Sequence, residues 1–390
     1  MAMRLYGLIA SVLRNVTQVS PNILVFTSKP DYSDNARALS DYILSKTSYY
    51  DIYWRVGDVK ECRRKYPDAK VRFISDHGLH KYRNLFIYLR ASYFFSTHSL
   101  SFYRGFKRKG QKMINLWHGC SYKDRVNKKL TGTDDFFDKH LVAGPLFIKT
   151  KSYFFRCPDD SYILAKGYPR YDWLLKKDDY ARQYYEMLKG NCSHLIIWMP
   201  TFRNDKDGAY KDMACFSQFP LLGSNEDWRN VDQFCADNEV RLVVKLHINQ
   251  AEYDIDWKSF SNIVRVDNDD INTANTNLYS FLACTDALIS DYSSVAVDYM
   301  IVDKPIAFAL DDFAMYKDAR GFVVENPKDY MPGHHLYSVS DLTSFIADIS
   351  NNRDPYKELR AKLFDVLLYR STSYCKEITE SLNINLDING

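Results

Sequence analysis

The sequence predicts an α/β protein of two domains, each built on a parallel sheet. Three observations carry this. The chain has 390 residues, more than one core of ~150 residues organises. Short apolar runs alternate with helical stretches, the pattern of βα units. The later runs are almost continuously apolar, as strands covered on both faces must be.

In chain order, Arg4–Val19 sets Leu5, Leu8, Ile9, Val12, Leu13 and Val16 at helical spacing, with Arg4 and Arg14 beside them. Such a helix either packs on its own domain or lies on an anionic bilayer surface, because basic residues flank its apolar stripe. Strands are expected at 22–27, 50–56, 71–75, 91–97, 112–117, 140–143 and 161–165. The charged helical stretch DWLLKKDDYARQYYEMLKGNC then reads as a connection. A second series of strands is expected at 194–199, 241–246, 263–266, 286–289 and 305–310. The expected division is a domain at 1–175, a connection at 176–192 and a domain at 193–390.

Composition narrows the function classes. Lys and Arg number 52 against 49 Asp and Glu, a net charge of +3, which excludes a globally basic coat for nucleic acid. The eight cysteines contain no CxxC pair, so zinc ribbons and dithiol redox chemistry are unsupported and a reducing compartment is expected. No uncharged apolar run approaches the ~18 residues of a membrane span, and no signal-peptide pattern follows Met1. A cytoplasmic protein, free or peripheral on the inner face of the cell membrane, is the expectation.

Ligands of parallel sheets bind beyond the carboxyl ends of the strands, so the residues there deserve weight. His118-Gly119 follows the run at 112–117, with Lys123 downstream, and Arg203 lies just past 194–199. His247 follows 241–246. Ser290-Asp291-Tyr292-Ser293-Ser294 ends 286–289 with Asp298 a turn later, and Arg320-Gly321 closes a loop rich in aspartate and aromatics. Ser293 and Ser294 suit either ordinary helix capping or the grip of a phosphate on free N–H groups and hydroxyls. His118 beside a glycine reads as a general base or as a structural histidine, and His247 as a ligand-facing or a buried, satisfied ring. The arginine forks fit phosphate oxygens, or serve as ion pairs. Residues 101–130 hold nine Lys or Arg and the single acid Asp124, a solvated face or a landing site for an anionic acceptor or lipid.

Dinucleotide, P-loop and hydrolase-elbow motifs are absent from the sequence. Asp267-Asn268-Asp269 imitates a metal-binding acidic pair, but its neighbours Asp270 and Asn272 make it a polar loop. His77, His80, His334 and His335 lack ligand partners at metal spacing. Nothing in the sequence requires a cofactor, and magnesium is left open.

Taken together, NLWHG, KGYPRYD (166–172), MPTFR (199–203), KLH (245–247), ALISDYSSVAVDY (287–299), DKPIAFALDD (303–312) and ARGF (319–322) resemble the CDP-glycerol glycerophosphotransferase family, which includes teichoic acid primases and polymerases and related capsule polymerases. The motifs run from about residue 112 to 325 in family order. The resemblance implies a GT-B-like architecture, two Rossmann-like domains with parallel sheets facing across a cleft. It implies transfer of glycerol phosphate from CDP-glycerol to a hydroxyl of a lipid-linked or glycerophosphate-containing acceptor, with release of CMP. Carried over by position, His118 is the base and His247 holds the donor phosphate. Ser290, Asp291, Ser293, Ser294 and Arg320 form the donor-binding set with Arg203 near the diphosphate, and Gly119, Lys123, Asp298 and Gly321 are expected among the substrate-binding residues as well. The chain departs from the family where Ile248 replaces the usual proline and where Cys120-Ser121-Tyr122 follows the first histidine, on the acceptor side. A CDP-ribitol-using relative, a nucleotide-sugar glycosyltransferase and a non-catalytic membrane-surface glycan binder are the alternatives. Oligomeric state is not written in the sequence.

Overall fold

The computed structural model describes residues 2–98, 100, 103, 107–122, 136–201, 219–247 and 253–387, the side chains of 2–8, 319 and 320 excepted. It divides into two compact units. Met1–His118, Lys129–Asp172 and Arg370–Gly390 form the first, and Gly119–Lys128 with Trp173–Tyr369 the second.

The first unit begins with α1 (Ala2–Val16), β1 (Ser20–Thr27), α2 (Asp34–Lys46), β2 (Asp51–Arg55), α3 (Val59–Lys65), β3 (Arg72–Ile74), α4 (His80–Arg90) and β4 (Ala91–Ser96). It continues through β5 (Lys112–Asn115), β6 (Lys139–Leu141), α5 (Phe147–Phe154) and β7 (Ile163–Leu164), and α6 (Tyr171–Leu175) leads out of it. All strand pairs are parallel, in the order β3-β2-β1-β4-β5-β6-β7. The central strands carry apolar side chains on both faces: Leu24, Phe26, Trp54, Phe94 and Phe95 are fully buried. Phe26 stacks on Phe95 at 4.5 Å and on Trp54 at 5.8 Å. Helix α1 lays Ile9, Ala10 and Leu13 on Leu85 and Leu89 of α4, so it packs on its own unit, leaving Val12 and Val16 exposed.

The second unit contains α7 (Asp179–Lys189), β8 (His194–Trp198), α8 (Asn225–Asp237), β9 (Val240–Lys245), β10 (Ile263–Val266), α9 (Asn268–Thr273), α10 (Leu278–Cys284) and β11 (Ala287–Ser290). After these come α11 (Ser294–Tyr299), β12 (Ile306–Ala309), α12 (Phe313–Arg320), β13 (His334–Leu336), α13 (Val339–Ser350) and α14 (Lys357–Leu367). Its parallel order, β10-β9-β8-β11-β12-β13, repeats the winding of the first sheet. In each unit the winding reverses between two central strands, β1/β4 and β8/β11, and such a reversal opens a crevice at their carboxyl ends. Strand β13 is absent from the expected set because its two histidines break the apolar run. It is a short edge strand, admitted by Gly333, where a Cβ would collide with the Ile306 carbonyl.

The unit boundaries differ from those expected. Helix α7, assigned by its charge to a connection at 176–192, packs on β8, β9 and α10, and its Tyr185 hydroxyl donates to Asp286 at 2.7 Å. The tail assigned to a domain at 193–390 belongs instead to the first unit from Arg370 onward. There Asp172 accepts the N–H of Tyr374 at 2.5 Å and of Cys375 at 3.3 Å, capping α15 (Tyr374–Ser381). The Tyr93 hydroxyl then donates to the Leu382 carbonyl at 2.7 Å.

Candidate active site

In the first unit the chemistry gathers where β4 and β5 end. After β5 the chain turns sharply: Trp117 takes a left-handed backbone, φ 51°, and Gly119 follows at φ 125°. The left-handed region is costly for a bulky residue and persists only where the surroundings enforce it. Here Asn35, on α2, donates its amide to the carbonyls of Leu116 at 3.3 Å and Trp117 at 2.9 Å. Arg170 donates to the carbonyl of His118 at 3.3 Å and to the Asp34 carboxylate at 2.6 Å. This ion pair is largely buried, with side-chain exposures of 4% for Arg170 and 16% for Asp34.

The turn presents the His118 ring. Its Nδ1 lies 3.3 Å from the Thr97 carbonyl, one face stacks on His98 at 4.7 Å, and Trp117 tilts against it at 3.9 Å. Crowding by protein, then the neighbouring His98, lowers its pKa to about 3. His118 is nonetheless exposed to solvent, and with its pKa lowered the imidazole is neutral at neutral pH. His98 is itself lowered by burial and contacts Thr97 Oγ1 at 2.8 Å.

In the second unit the strand ends also converge. Asp291, fully buried, accepts from the Thr201 amide at 2.8 Å and from the Thr201 hydroxyl at 2.6 Å. Ser290 donates to the Met199 carbonyl at 3.1 Å. Their side chains thus join the tips of β8 and β11. Asp298 is buried too and accepts from Tyr279 at 2.7 Å, inside the core. Ser293 and Ser294 are half-buried, and Ser293, at the N-cap position of α11, makes no capping bond. Tyr292 holds the turn from below, donating to Asp312 at 2.7 Å and stacking on Tyr316 at 4.1 Å. Gly321 ends α12 at φ 75°, a backbone that favours glycine. His247 stands exposed just past β9. Two residues before it Lys245 is 6% exposed, its pKa lowered by burial to about 8.

Lys123, Arg203 and the side chain of Arg320 lie outside the described residues. Of the basic block, Lys107 pairs with Asp138 at 3.0 Å, and Arg108 donates to Thr17 and to the Leu89 carbonyl. These two are structural, whereas Lys109 and Lys112 are exposed. The Asp267-Asn268-Asp269 run is a capping box: Asp267 accepts the amides of Asp269 and Asp270, and Asp270 the amide of Asp267. Among the described residues no three His, Cys, Asp or Glu side chains are placed to hold a metal ion. Sequence reasoning passes over Asn35, Asp34, Thr97, His98, Arg170 and Thr201. Arg170 and Thr201 stand inside KGYPRYD and MPTFR, so those two motifs carried the signal.

Two doubly wound parallel sheets, each with chemistry-bearing residues at its strand ends, define a GT-B-like protein. The model of the CDP-glycerol:poly(glycerophosphate) glycerophosphotransferase family matches residues 9–385, and the chain belongs to that family of enzymes. It is 24% identical over 376 residues to a teichoic acid poly(glycerol phosphate) polymerase of Staphylococcus epidermidis, covering 89% of this chain and 48% of that protein. A teichoic acid poly(glycerol phosphate) polymerase of Bacillus spizizenii is 25% identical over 360 residues, 83% of either chain. The chain therefore spans about half of the first relative and most of the second. Among solved structures the fold matches the wall teichoic acid polymerase TagF at a TM-score of 0.72 and 18% identity, covering 99% of this chain and 95% of that one. It matches the UDP-GlcNAc 2-epimerase of Methanocaldococcus jannaschii at 0.54 and 10%, covering 93% and 99%. Among the described residues, no helix is long and apolar enough to cross a membrane.

Proposed function

We propose that the enzyme transfers glycerol phosphate from CDP-glycerol to a hydroxyl of a lipid-linked or glycerophosphate-containing acceptor, releasing CMP, in synthesis of a teichoic-acid-like or capsular polymer. The observation that carries this reading is the neutral, presented imidazole of His118 at a strand-end turn held by Asn35 and Arg170. His118 takes the proton of the acceptor hydroxyl as its oxygen bonds to the glycerol-bearing phosphorus. The bond from that phosphorus to the CMP oxygen breaks, and CMP leaves with the electron pair. On the second unit His247, Arg203, Arg320 and the hydroxyls of Ser293 and Ser294 meet the phosphate charge. Fixed cations and dipoles lower the barrier of such a transfer by being in place beforehand. Helix α11 has only six residues, so its hydroxyls and first N–H groups matter here more than its dipole.

A CDP-ribitol donor is the second reading, favoured by a relative, the teichoic acid ribitol-phosphate primase of Bacillus spizizenii, 24% identical over 271 residues. A cytoplasmic protein peripheral on the inner face of the cell membrane fits a lipid-linked acceptor, and the exposed Val12 and Val16 of α1 fit light contact with the bilayer. The test offers CDP-glycerol, CDP-ribitol and UDP-sugars with an acceptor and identifies products by mass. Glycerol phosphate added with stoichiometric CMP is expected; addition of a sugar, or binding without release of CMP, rejects the reading.

A further inference from the structure

Lys151 lies on the buried side of α5, one turn from Phe147, and is 5% exposed. Leucine or methionine would fill such a position at lower cost, because an ammonium loses hydration there. Burial of a lysine is ordinarily offset by a carboxylate, yet among the described residues none lies within ion-pair distance of its Nζ. Two aromatic rings surround it instead: Nζ is 4.9 Å from the centroid of Phe154 and 5.8 Å from that of Trp117. Trp117 is also the residue held in the left-handed conformation and tilted against His118 at 3.9 Å. One indole thus anchors both the ammonium and the imidazole. Cation–π contact compensates part of the lost hydration, and an anion brought to the same spot would compensate the rest.

We propose that Lys151 is the cation of an anionic subsite beside His118, which takes a phosphate mono- or diester oxygen of the acceptor while its hydroxyl faces the base. The inference rests on the transferase reading for its place in the reaction, though not for the binding itself. The positive charge also favours the neutral form of His118.

The test is calorimetric binding of two probes that need no turnover. Glycerol 3-phosphate stands for a polymer end and geranyl diphosphate for a lipid headgroup. Wild type is expected to bind at least one of them, and the one bound identifies the source of the phosphate. Lys151→Met should weaken that binding about tenfold or more, the size of a lost charge-assisted hydrogen bond. Lys151→Arg should largely restore it. Lys151→Met should also fold with a Tm no lower than wild type and raise the acceptor KM but not that of CDP-glycerol. Equal affinity in wild type and Lys151→Met, no binding of either probe, or equal losses in both variants with a lowered Tm overturns the proposal. Lys151-dependent binding by a protein that releases no CMP would keep the subsite and remove the transferase reading.

Discussion

The Nδ1 of His118 faces the Thr97 carbonyl at 3.3 Å. A carbonyl only accepts, so Nδ1 carries the proton of the neutral ring and Nε2 keeps a free lone pair. That is the arrangement a general base needs. With the pKa pushed below its ordinary value, the ring is already unprotonated near pH 7, as the proposed base role requires. CMP release should therefore stay level from pH 8 down past 6.5, the ordinary imidazole value, and fall only at lower pH. A pH–rate profile with an acid limb centred above 6.5 would contradict the depressed pKa.

Arg170 ties the His118 carbonyl to Asp34. Removing one partner of a buried pair leaves the other desolvated, a cost of about 3 kcal/mol. Arg170→Met should lose that much stability in urea, and should lower kcat while the KM for CDP-glycerol holds, because the turn that carries His118 relaxes. The double variant with Asp34→Asn should lose less than the sum of the single losses. Strict additivity would mean that the pair does not act as a unit.

The serines and the aspartate of the second unit should separate cleanly. Asp291 is buried and doubly bonded to Thr201, so Asp291→Ala should destabilise by about 1–3 kcal/mol. Ser293 caps nothing, so Ser293→Ala should cost well under the ~1 kcal/mol of a lost cap yet raise the KM for CDP-glycerol. A large stability loss with unchanged KM would return Ser293 to simple helix capping. Paired denaturation and steady-state kinetics on each variant decide.

His140 is 1% exposed, bonded to Asn115 at 3.0 Å and stacked on Phe155 at 4.2 Å. Burial lowers its pKa to about 3. Below about 6.5 the unfolded chain takes up a proton that the folded one refuses, so stability is full above pH 6.5 and declines as pH falls toward 3. The decline approaches at most about 1.4 kcal/mol per pH unit from this group. Urea titrations at pH 7.5, 6.5 and 5.5 should show a shallower acid loss in His140→Phe than in wild type; equal slopes would contradict the assignment.

Much of the fold was legible because covered strands leave nearly unbroken apolar runs, as in Ile23–Phe26 and Leu195–Trp198. Strand β13 was not, since an edge strand carrying His334 and His335 has no such run. The return of α15 to the first unit rests on Asp172 meeting amides some two hundred residues away, a pairing that local periodicity does not encode. The candidate site was legible only in part. Strand-end position picked out His118 and the serine–aspartate cluster, but residue type alone does not separate Asp291, spent on Thr201, from Ser293, whose hydroxyl caps nothing. The support from Asn35, Asp34 and Arg170 is a matter of tertiary contact, and only the motif around Arg170 hinted at it.

His118 is proposed to remove the proton from the acceptor hydroxyl. The decisive measurement is turnover of labelled CDP-glycerol with acceptor present, by wild type and His118→Ala. The variant should fold as wild type and bind CDP-glycerol with the same affinity, while CMP release falls by about 10²–10⁴-fold, the usual worth of a positioned base. Full CMP release by a folded His118→Ala would rule out His118 as the base.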